Sequence, residues 1–167
     1  MASVFTPGSG GDLQATHKPN AFLEMAFQLQ TTEQSISADV RPNNITITAD
    51  LEALTASVTG TLPIGTALNT SGQVVVVASD YLVGLTGNSG FNNGGGDLKS
   101  TNEPAAFFEM AQILHAAEQA VPAETRPNNI TITVDFEAAT ASVAATLPIA
   151  ATEGGGGAIL LTAVDYL

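Results

Sequence analysis

The sequence predicts an α+β protein built from two tandem copies of one small module. When the 167-residue chain is compared with itself at a shift of 85 residues, residues 11–82 lie over residues 96–167 without a gap, and about half of the aligned positions are identical. Each half contains one stretch with helical apolar spacing and three stretches with strand character. We therefore expect each module to be one helix packed on a three-stranded antiparallel sheet, and the two modules to pack together as a pseudo-dimer.

The repeat also sets the predicted domain boundaries. The expected order is an N-terminal arm, a first module, a linker arm and a second module, at residues 1–10, 11–82, 83–95 and 96–167. The linker arm is rich in Gly and Asn and is expected to be flexible. Each arm carries one phenylalanine, Phe5 or Phe91, which we predict to contact a partner protein.

Each module begins with an amphipathic helix. Pro19 and Pro104 stand where the first helical turn tolerates proline. A shared apolar stripe follows and is expected to face the sheet; it comprises Phe22, Met25, Ala26, Leu29 and Ile36 in the first copy, and Phe107, Met110, Ala111, Leu114 and Val121 in the second. Phe27 and Ile113 are each replaced by glutamine in the other copy, so we predict that they contact different neighbours.

The octapeptide RPNNITIT, at residues 41–48 and again at 126–133, predicts a joint between the helix and the first strand. Proline keeps the preceding arginine extended, and the two asparagines favour a turn, so the strands should begin at Ile45 and Ile130. Arg41 and Arg126 are expected to pair with a nearby Glu or with the negative end of the helix. Both arginines are also candidates for contact with a partner protein.

Two further strands complete each module. The second strand follows a hairpin turn, and its core-facing residues should be Leu54, Ala56, Val58, Gly60 and Leu62, with Ala139, Ala141, Val143, Ala145 and Leu147 in the second copy. The stretches GTALNTSG and AATEGGGG are predicted loops. The last strands, QVVVVASDYL and AILLTAVDYL, are apolar on both faces, which predicts a central or doubly covered strand.

The charge balance excludes several classes of partner. Four basic residues, Lys18, Arg41, Lys99 and Arg126, oppose 16 Asp and Glu, so the net charge is −12. Such a surface repels phosphate backbones and anionic lipid headgroups, and neither nucleic acid nor membrane is expected as a partner. Because no basic segment precedes an apolar run and no apolar run spans a bilayer, we expect a soluble protein without an export signal.

Catalytic, metal and cofactor sites are not predicted. The chain has no cysteine, and neither His17 nor His115 is shared between the copies, which disfavours a metal site or a nucleophilic triad. The Gly runs lack the Lys-Ser/Thr of a phosphate-binding loop, so no cofactor is expected. The acidic residues near positions 50–52 and 135–137 are expected to act as turn residues.

The helical glutamates are candidates for a carboxylate pair. Glu24 and Glu33 lie nine residues apart on the first helix, as do Glu109 and Glu118 on the second. That spacing places the two members of each pair on opposite sides of the helix, which does not suit a catalytic dyad. We expect all four side chains to be solvated.

The positions kept in both halves are apolar stripes, turn residues and strand ends, which favours a scaffold or interaction protein over an enzyme. A small, cysteine-free chain rich in Ala, Gly and Thr, with extended arms, resembles the capsid decoration or cement proteins of tailed bacteriophages. The resemblance implies a non-enzymatic virion component on the outer capsid surface, cytoplasmic during assembly. It would bind major coat subunits and itself, as a homotrimer or another homo-oligomer.

Two other functions stay open on the sequence. The alternating Thr residues of the strands could form a flat face for glycans or ice, as in a surface-exposed binding module. An enzyme that uses Arg41 and the turn carboxylates is the third hypothesis.

Overall fold

The computed structural model describes residues 3–86 and 90–167. This part of the chain contains three helices, α1 (Lys18–Gln34), α2 (Val83–Thr86) and α3 (Glu103–Gln119), and six strands, β1 (Ile45–Asp50), β2 (Thr55–Leu68), β3 (Val74–Ala78), β4 (Ile130–Asp135), β5 (Thr140–Glu153) and β6 (Ile159–Ala163). The predicted α+β class is confirmed. Helix α1 and strands β1 to β3 each have a counterpart of equal length 85 residues later. None of the described helices has the length and apolar content needed to cross a membrane.

Both long helices begin where the prolines predict. The side chains of His17 and Asn102 cap them: His17 Nδ1 accepts from the Asn20 N–H at 3.4 Å, and Asn102 Oδ1 accepts from the Ala105 N–H at 2.9 Å. His17 and Asn102, at equivalent positions of the two halves, therefore both act as N-cap residues. The predicted apolar stripe is buried in both helices, but its last members, Ile36 and Val121, lie just beyond the helix ends; Ile36 is buried and Val121 is half-buried.

The six strands form one antiparallel sheet, in which β2 and β5 join the halves in the order β1-β2-β5-β4. Thr59 lies opposite Ala144, its equivalent 85 residues later. Helices α1 and α3 pack side by side on one face of this sheet, and the rings of Phe22 and Phe107 lie 5.3 Å apart between them. At Gly60 a Cβ atom would lie 2.8 Å from Ile45 Cδ1 of the neighbouring strand and 3.1 Å from Phe107 Cε2 of α3, so glycine allows the sheet and this helix to approach closely. The two halves consequently share one core.

The ends of the long strands depart from the sequence prediction. Strands β2 and β5 continue to Leu68 and Glu153, into the stretches predicted as loops, and pair there with β3 and β6. We call the resulting two-stranded units ribbon A (residues 64–78) and ribbon B (residues 149–163). Each ribbon lies beside the long helix of the other half: β3 contacts α3 and β6 contacts α1.

The expectation that the last strands are doubly covered is wrong. Val74 and Val77 of ribbon A are 65% and 44% exposed, and Ile159 and Leu160 of ribbon B are 57% and 55% exposed. In the described part of the chain each of these strands pairs with a neighbour on one side alone. The apolar run thus lies at a partly solvated edge of the sheet.

The predicted arms are folded onto the protein. Phe5 and Phe91 are 2% and 5% exposed and belong to the core, which corrects the prediction that they contact a partner. The Phe5 N–H donates to Thr16 O and the Phe91 N–H to Thr101 O, both at 2.9 Å, so each arm returns alongside the start of a helix. Residues 83–86 of the expected linker are helical. Residues 1, 2 and 87–89 of the predicted arms lie outside the described residues.

Candidate interaction surfaces

The octapeptide joint is organised around a buried carboxylate, that of Glu33, which corrects the expectation that this side chain is solvated. Glu33 is 0% exposed, and its two oxygens accept from the Asn44 N–H at 3.0 Å and the Ile45 N–H at 3.1 Å. The hydroxyl of Tyr81 donates to the same carboxylate at 2.6 Å. Burial, together with the hydrogen bond and the negative charge of Glu33, raises the pKa of Tyr81 above its ordinary value.

The second copy repeats this arrangement with matching distances. Glu118 is 0% exposed and accepts from the Asn129 N–H at 3.0 Å, the Ile130 N–H at 3.1 Å and the Tyr166 hydroxyl at 2.6 Å. Burial is again the main cause that raises the pKa of Tyr166. Each buried glutamate therefore holds the corner between its helix and its first strand.

The arginines of the octapeptides cap the helices. Arg41 donates through Nε and Nη2 to the carbonyl of Ile36 at 3.0 and 2.7 Å, and through Nη2 to that of Gln34 at 2.8 Å. Arg126 donates to the carbonyls of Val121 and Gln119 at 2.9 Å each through Nη2. The expected role at the negative helix end is confirmed. Contact of either arginine with a partner stays a prediction.

The other two helical glutamates are also used by the backbone. Glu24 accepts from the Gln14 N–H at 2.7 Å and the Ala15 N–H at 2.9 Å. Glu109 accepts from the N–H groups of Lys99 and Ser100, at 3.0 Å each. The expectation that these carboxylates are simply solvated is wrong: they hold the segments that lead into the helices. The sequence signal for this role is that glutamate occurs at both equivalent positions, 24 and 109.

Among the described residues, one face of the central sheet carries no helix and is lined by hydroxyl groups. Its exposed residues include Thr46, Thr48, Ser57, Thr59, Thr61, Thr131, Thr133, Ser142 and Thr146. Thr46 lies opposite Thr59, and Thr131 lies opposite Ala144, which pairs with Thr59. Neighbouring strands in such a sheet are about 4.8 Å apart. We call this surface the hydroxyl face.

A groove lies on the opposite side of the molecule, between helix α1 and strand β6. This groove, which we call groove 1, has a volume of about 530 Å³, and its lining includes Glu24, Phe27, Glu103, Leu160 and Leu161. Glu103 is 8% exposed and both of its oxygens accept from Thr32 Oγ1, at 2.8 and 2.9 Å. Burial raises the pKa of the Glu103 carboxyl.

The other half has a smaller counterpart, groove 2, between α3 and β3. Its volume is about 450 Å³, and its lining includes Val75, Val76, Phe108, Gln112 and His115. The two grooves differ in chemistry, because the lining of groove 2 contains no carboxylate. His115 Nδ1 lies 3.3 Å from the carbonyl of Ile130.

The predicted contact residues are distributed over different parts of the molecule. Phe27 is half-buried and lines groove 1, whereas Ile113 is half-buried and packs against the core. Within residues 3–86 and 90–167, no group of three or more His, Asp or Glu side chains could hold a metal ion. No protein-family model matches the sequence, and neither a search of curated proteins nor a search of solved structures found a match.

Proposed function

We propose that this chain is a non-enzymatic assembly protein that decorates or cements a phage capsid by forming homo-oligomers and bridging coat subunits. The observation that carries the proposal is the exposure of apolar side chains on the two ribbons. Leu68 and Val74 are 70% and 65% exposed on ribbon A, and Ile159 and Leu160 are more than half exposed on ribbon B. Grouped apolar side chains on a surface mark sites of protein–protein contact.

The charge distribution supports a protein partner at ribbon A. Residues 64–78 contain no charged side chain, although the whole chain carries a net charge of −12. An uncharged apolar ribbon allows two acidic copies to approach with little repulsion at the point of contact. The same property suits a coat subunit whose surface is neutral or apolar.

The proposal includes a tandem duplication that makes the chain a pseudo-dimer. Its support is the repeated octapeptide, the equal lengths of the equivalent elements and the pairing of Thr59 with Ala144. A chain with two related surfaces suits closed symmetric assembly, and three such chains would form a pseudo-sixfold ring.

The use of the helical carboxylates also supports a structural role. Glu24, Glu33, Glu109 and Glu118 each accept hydrogen bonds from backbone N–H groups of another segment. A carboxylate that accepts such bonds fixes the position of the backbone segment that donates them. We assign these backbone contacts to folding and the ribbons to function.

The test measures self-association and particle binding with one pair of matched variants. We expect the purified protein to form trimers or larger oligomers in mass photometry, and to be visible on native particles by electron microscopy. Val74→Lys with Val77→Lys should reduce oligomer formation at least tenfold, whereas Thr46→Lys with Thr48→Lys on the hydroxyl face should not. A protein that stays monomeric at all concentrations and does not bind particles would contradict the proposal.

The hydroxyl face favours a second candidate function, the binding of glycans or ice. Thr46, Thr48, Thr131 and Thr133 are all exposed on this face. Replacing these four residues by glutamine should abolish binding to a glycan array or to ice crystals and leave the oligomeric state unchanged. If the parent protein binds neither ligand, this candidate is wrong.

A further inference from the structure

The outer edge of strand β6 carries backbone groups that strand β5 does not use. The Gly154 N–H donates to Ala158 O and the Val164 N–H to Pro148 O, which identifies the residues of β6 that bond to β5. The alternate residues, Ile159, Leu161 and Ala163, direct their N–H and C=O groups to the other side, as an antiparallel ladder requires. In the described part of the chain β6 pairs with β5 alone.

This edge faces helix α1 across groove 1. The Ala163 N–H donates to Asn20 Oδ1 at 2.9 Å, so one outward amide is already bonded to a side chain of α1. Beyond that contact, Leu161 and Leu160 line the groove on one side and Phe27 lines it on the other. An added strand would lie about 4.8 Å from β6, and four extended residues would span about 13 Å.

The groove is acidic as well as apolar. Glu24 and Glu103 both belong to its lining, and the whole chain has a net charge of −12. A basic side chain in the groove would gain favourable Coulomb energy, whereas an acidic one would be repelled. The lining thus selects for a segment that combines apolar residues with a Lys or Arg.

We propose that groove 1 binds an extended peptide segment of a partner protein as an additional strand on the outer edge of β6, with alternate apolar side chains against Phe27 and Leu161 and one basic side chain near Glu24 and Glu103. Main-chain hydrogen bonds supply the affinity in this mode of recognition, and the side chains of the groove supply the specificity. The proposal names how a coat subunit would be held, and in that sense it rests on the assembly role proposed above.

Groove 2 supplies the internal comparison. Gln112 occupies the position equivalent to Phe27, and Ala105 the position equivalent to Asn20. Strand β3 has the same outward pattern at Val74, Val76 and Ala78, because Ser79 N–H donates to Pro63 O and Asn69 N–H to Gln73 O. Groove 2 therefore has the strand edge and a different aromatic side chain, Phe108, but no aromatic residue at the position of Phe27 and no carboxylate in its lining. It should bind such a peptide more weakly.

The experiment titrates the full chain with synthetic peptides and follows its backbone amides by NMR. The probe is the blocked pentapeptide Val-Lys-Val-Thr-Val; the comparison peptides replace Lys by Glu, or carry N-methyl groups at alternate residues. We expect saturable shifts at Ile159, Leu161 and the neighbouring turns of α1. The Glu peptide should bind at least fivefold more weakly, and the N-methylated peptide should not bind.

Two variants and one control locate the site. Ile159→Pro removes an outward N–H that β5 does not use, and it should abolish binding. Phe27→Gln, which copies the residue at position 112, should weaken binding at least fivefold, whereas Val74→Pro at the equivalent position of β3 should leave it unchanged. The proposal is overturned if no peptide shifts the β6 amides, if β3 responds equally, or if N-methylation has no effect. Particle association is measured separately, so failure of peptide binding is distinguishable from failure of the assembly role.

Discussion

At the scale of single residues, two buried glutamates determine how each helix joins the sheet. Glu33 and Glu118 each collect two backbone N–H groups and one tyrosine hydroxyl in a site with no solvent exposure. An isolated carboxylate in such a place would be costly, and three donors offset that cost. The octapeptide and the glutamate therefore work as one unit.

The amide analogue tests this role. Glu33→Gln replaces one acceptor oxygen by an NH₂ group, which would face the N–H of Asn44 or Ile45, or the hydroxyl of Tyr81. We expect the free energy of unfolding to fall by roughly 2–4 kcal/mol, since a buried donor is left without an acceptor. Urea denaturation followed by circular dichroism measures the change.

A matched control separates burial from loss of charge. Glu52 is exposed in the β1–β2 turn, so Glu52→Gln should change the stability by less than about 0.5 kcal/mol. Equal unfolding midpoints for the Glu33 variant and the parent protein would show that the buried carboxylate does not hold the joint.

The burial of Glu33 could not be predicted from the sequence. The spacing of Glu24 and Glu33 places them on opposite sides of the helix but does not show what covers each side. The side that carries Glu33 is covered by the turn that follows the helix. The N–H groups of Asn44 and Ile45 point toward the Glu33 carboxylate because Asn43, with a φ of 52°, turns the chain back toward α1. The Arg41 cap was predictable, because it needs nothing beyond a helix end nearby.

At the scale of elements, local chemistry predicts where elements begin and long-range packing decides where they end. The prolines and the Ile-Thr alternation place the starts of α1 and β1 correctly, since caps and turns act over a few residues. The extent of β2 depends on β5, its partner from the other half, and on β3 beyond the core. Ribbon A and the exposure of Val74 were therefore missed, and so was groove 1, which needs α1 and β6 together.

The arms also form an element that the sequence did not reveal. The Asp97 N–H donates to Thr6 O and the Thr6 N–H donates to Asp97 Oδ2, both at 2.9 Å. In the same way the Asp12 N–H donates to Asn92 O at 2.8 Å and the Asn92 N–H to Asp12 Oδ2 at 2.9 Å, so the loops at residues 6–12 and 92–97 are paired. At Gly96 a Cβ atom would lie 2.2 Å from Thr6 O and 2.5 Å from Gly8 N. Glycine at this position permits the two loops to touch.

Substitution of this glycine should loosen the pairing of the loops. The Cβ atom of Gly96→Ala would clash with backbone atoms of residues 6–8. We expect the substitution to lower the free energy of unfolding by roughly 1–3 kcal/mol. Thermal unfolding measures the effect. Gly65→Ala is the control, because no atom lies within 4 Å of the added Cβ. Equal losses in both variants would show that loop contact is not the cause.

At the scale of the whole molecule, the halves interlock. They share the β2–β5 ladder, the contact between α1 and α3 and the paired arms, and each ribbon reaches the helix of the other half. Because these contacts cross between the halves, neither half has a complete core of its own. The chain should therefore unfold in one cooperative transition, in which every titratable group buried in the core affects the stability of both halves.

Alkaline pH tests that cooperativity through the two buried tyrosines. Burial and the neighbouring carboxylates raise the pKa of Tyr81 and Tyr166 in the folded state, so the native protein keeps protons that the unfolded chain releases above about pH 10. The contribution of the two protonated tyrosines to the free energy of unfolding is thus fully present below about pH 10 and is lost as the pH rises above it. Each tyrosine should lower the free energy of unfolding by at most about 1.4 kcal/mol per pH unit above pH 10, because that is the limit for one proton kept by the folded state alone.

Urea midpoints between pH 9 and 11.5 measure this slope, and phenylalanine variants assign it. Tyr81→Phe and Tyr166→Phe should each start from a lower stability, because Glu33 or Glu118 loses one donor. In each single variant the free energy of unfolding should also fall less steeply with pH, because one buried tyrosine no longer contributes. In the double variant neither tyrosine contributes to the slope. All other titratable groups are the same in every variant, so the difference between the curves isolates the tyrosines. An unchanged slope in the double variant would show that the two phenols do not link alkaline titration to unfolding.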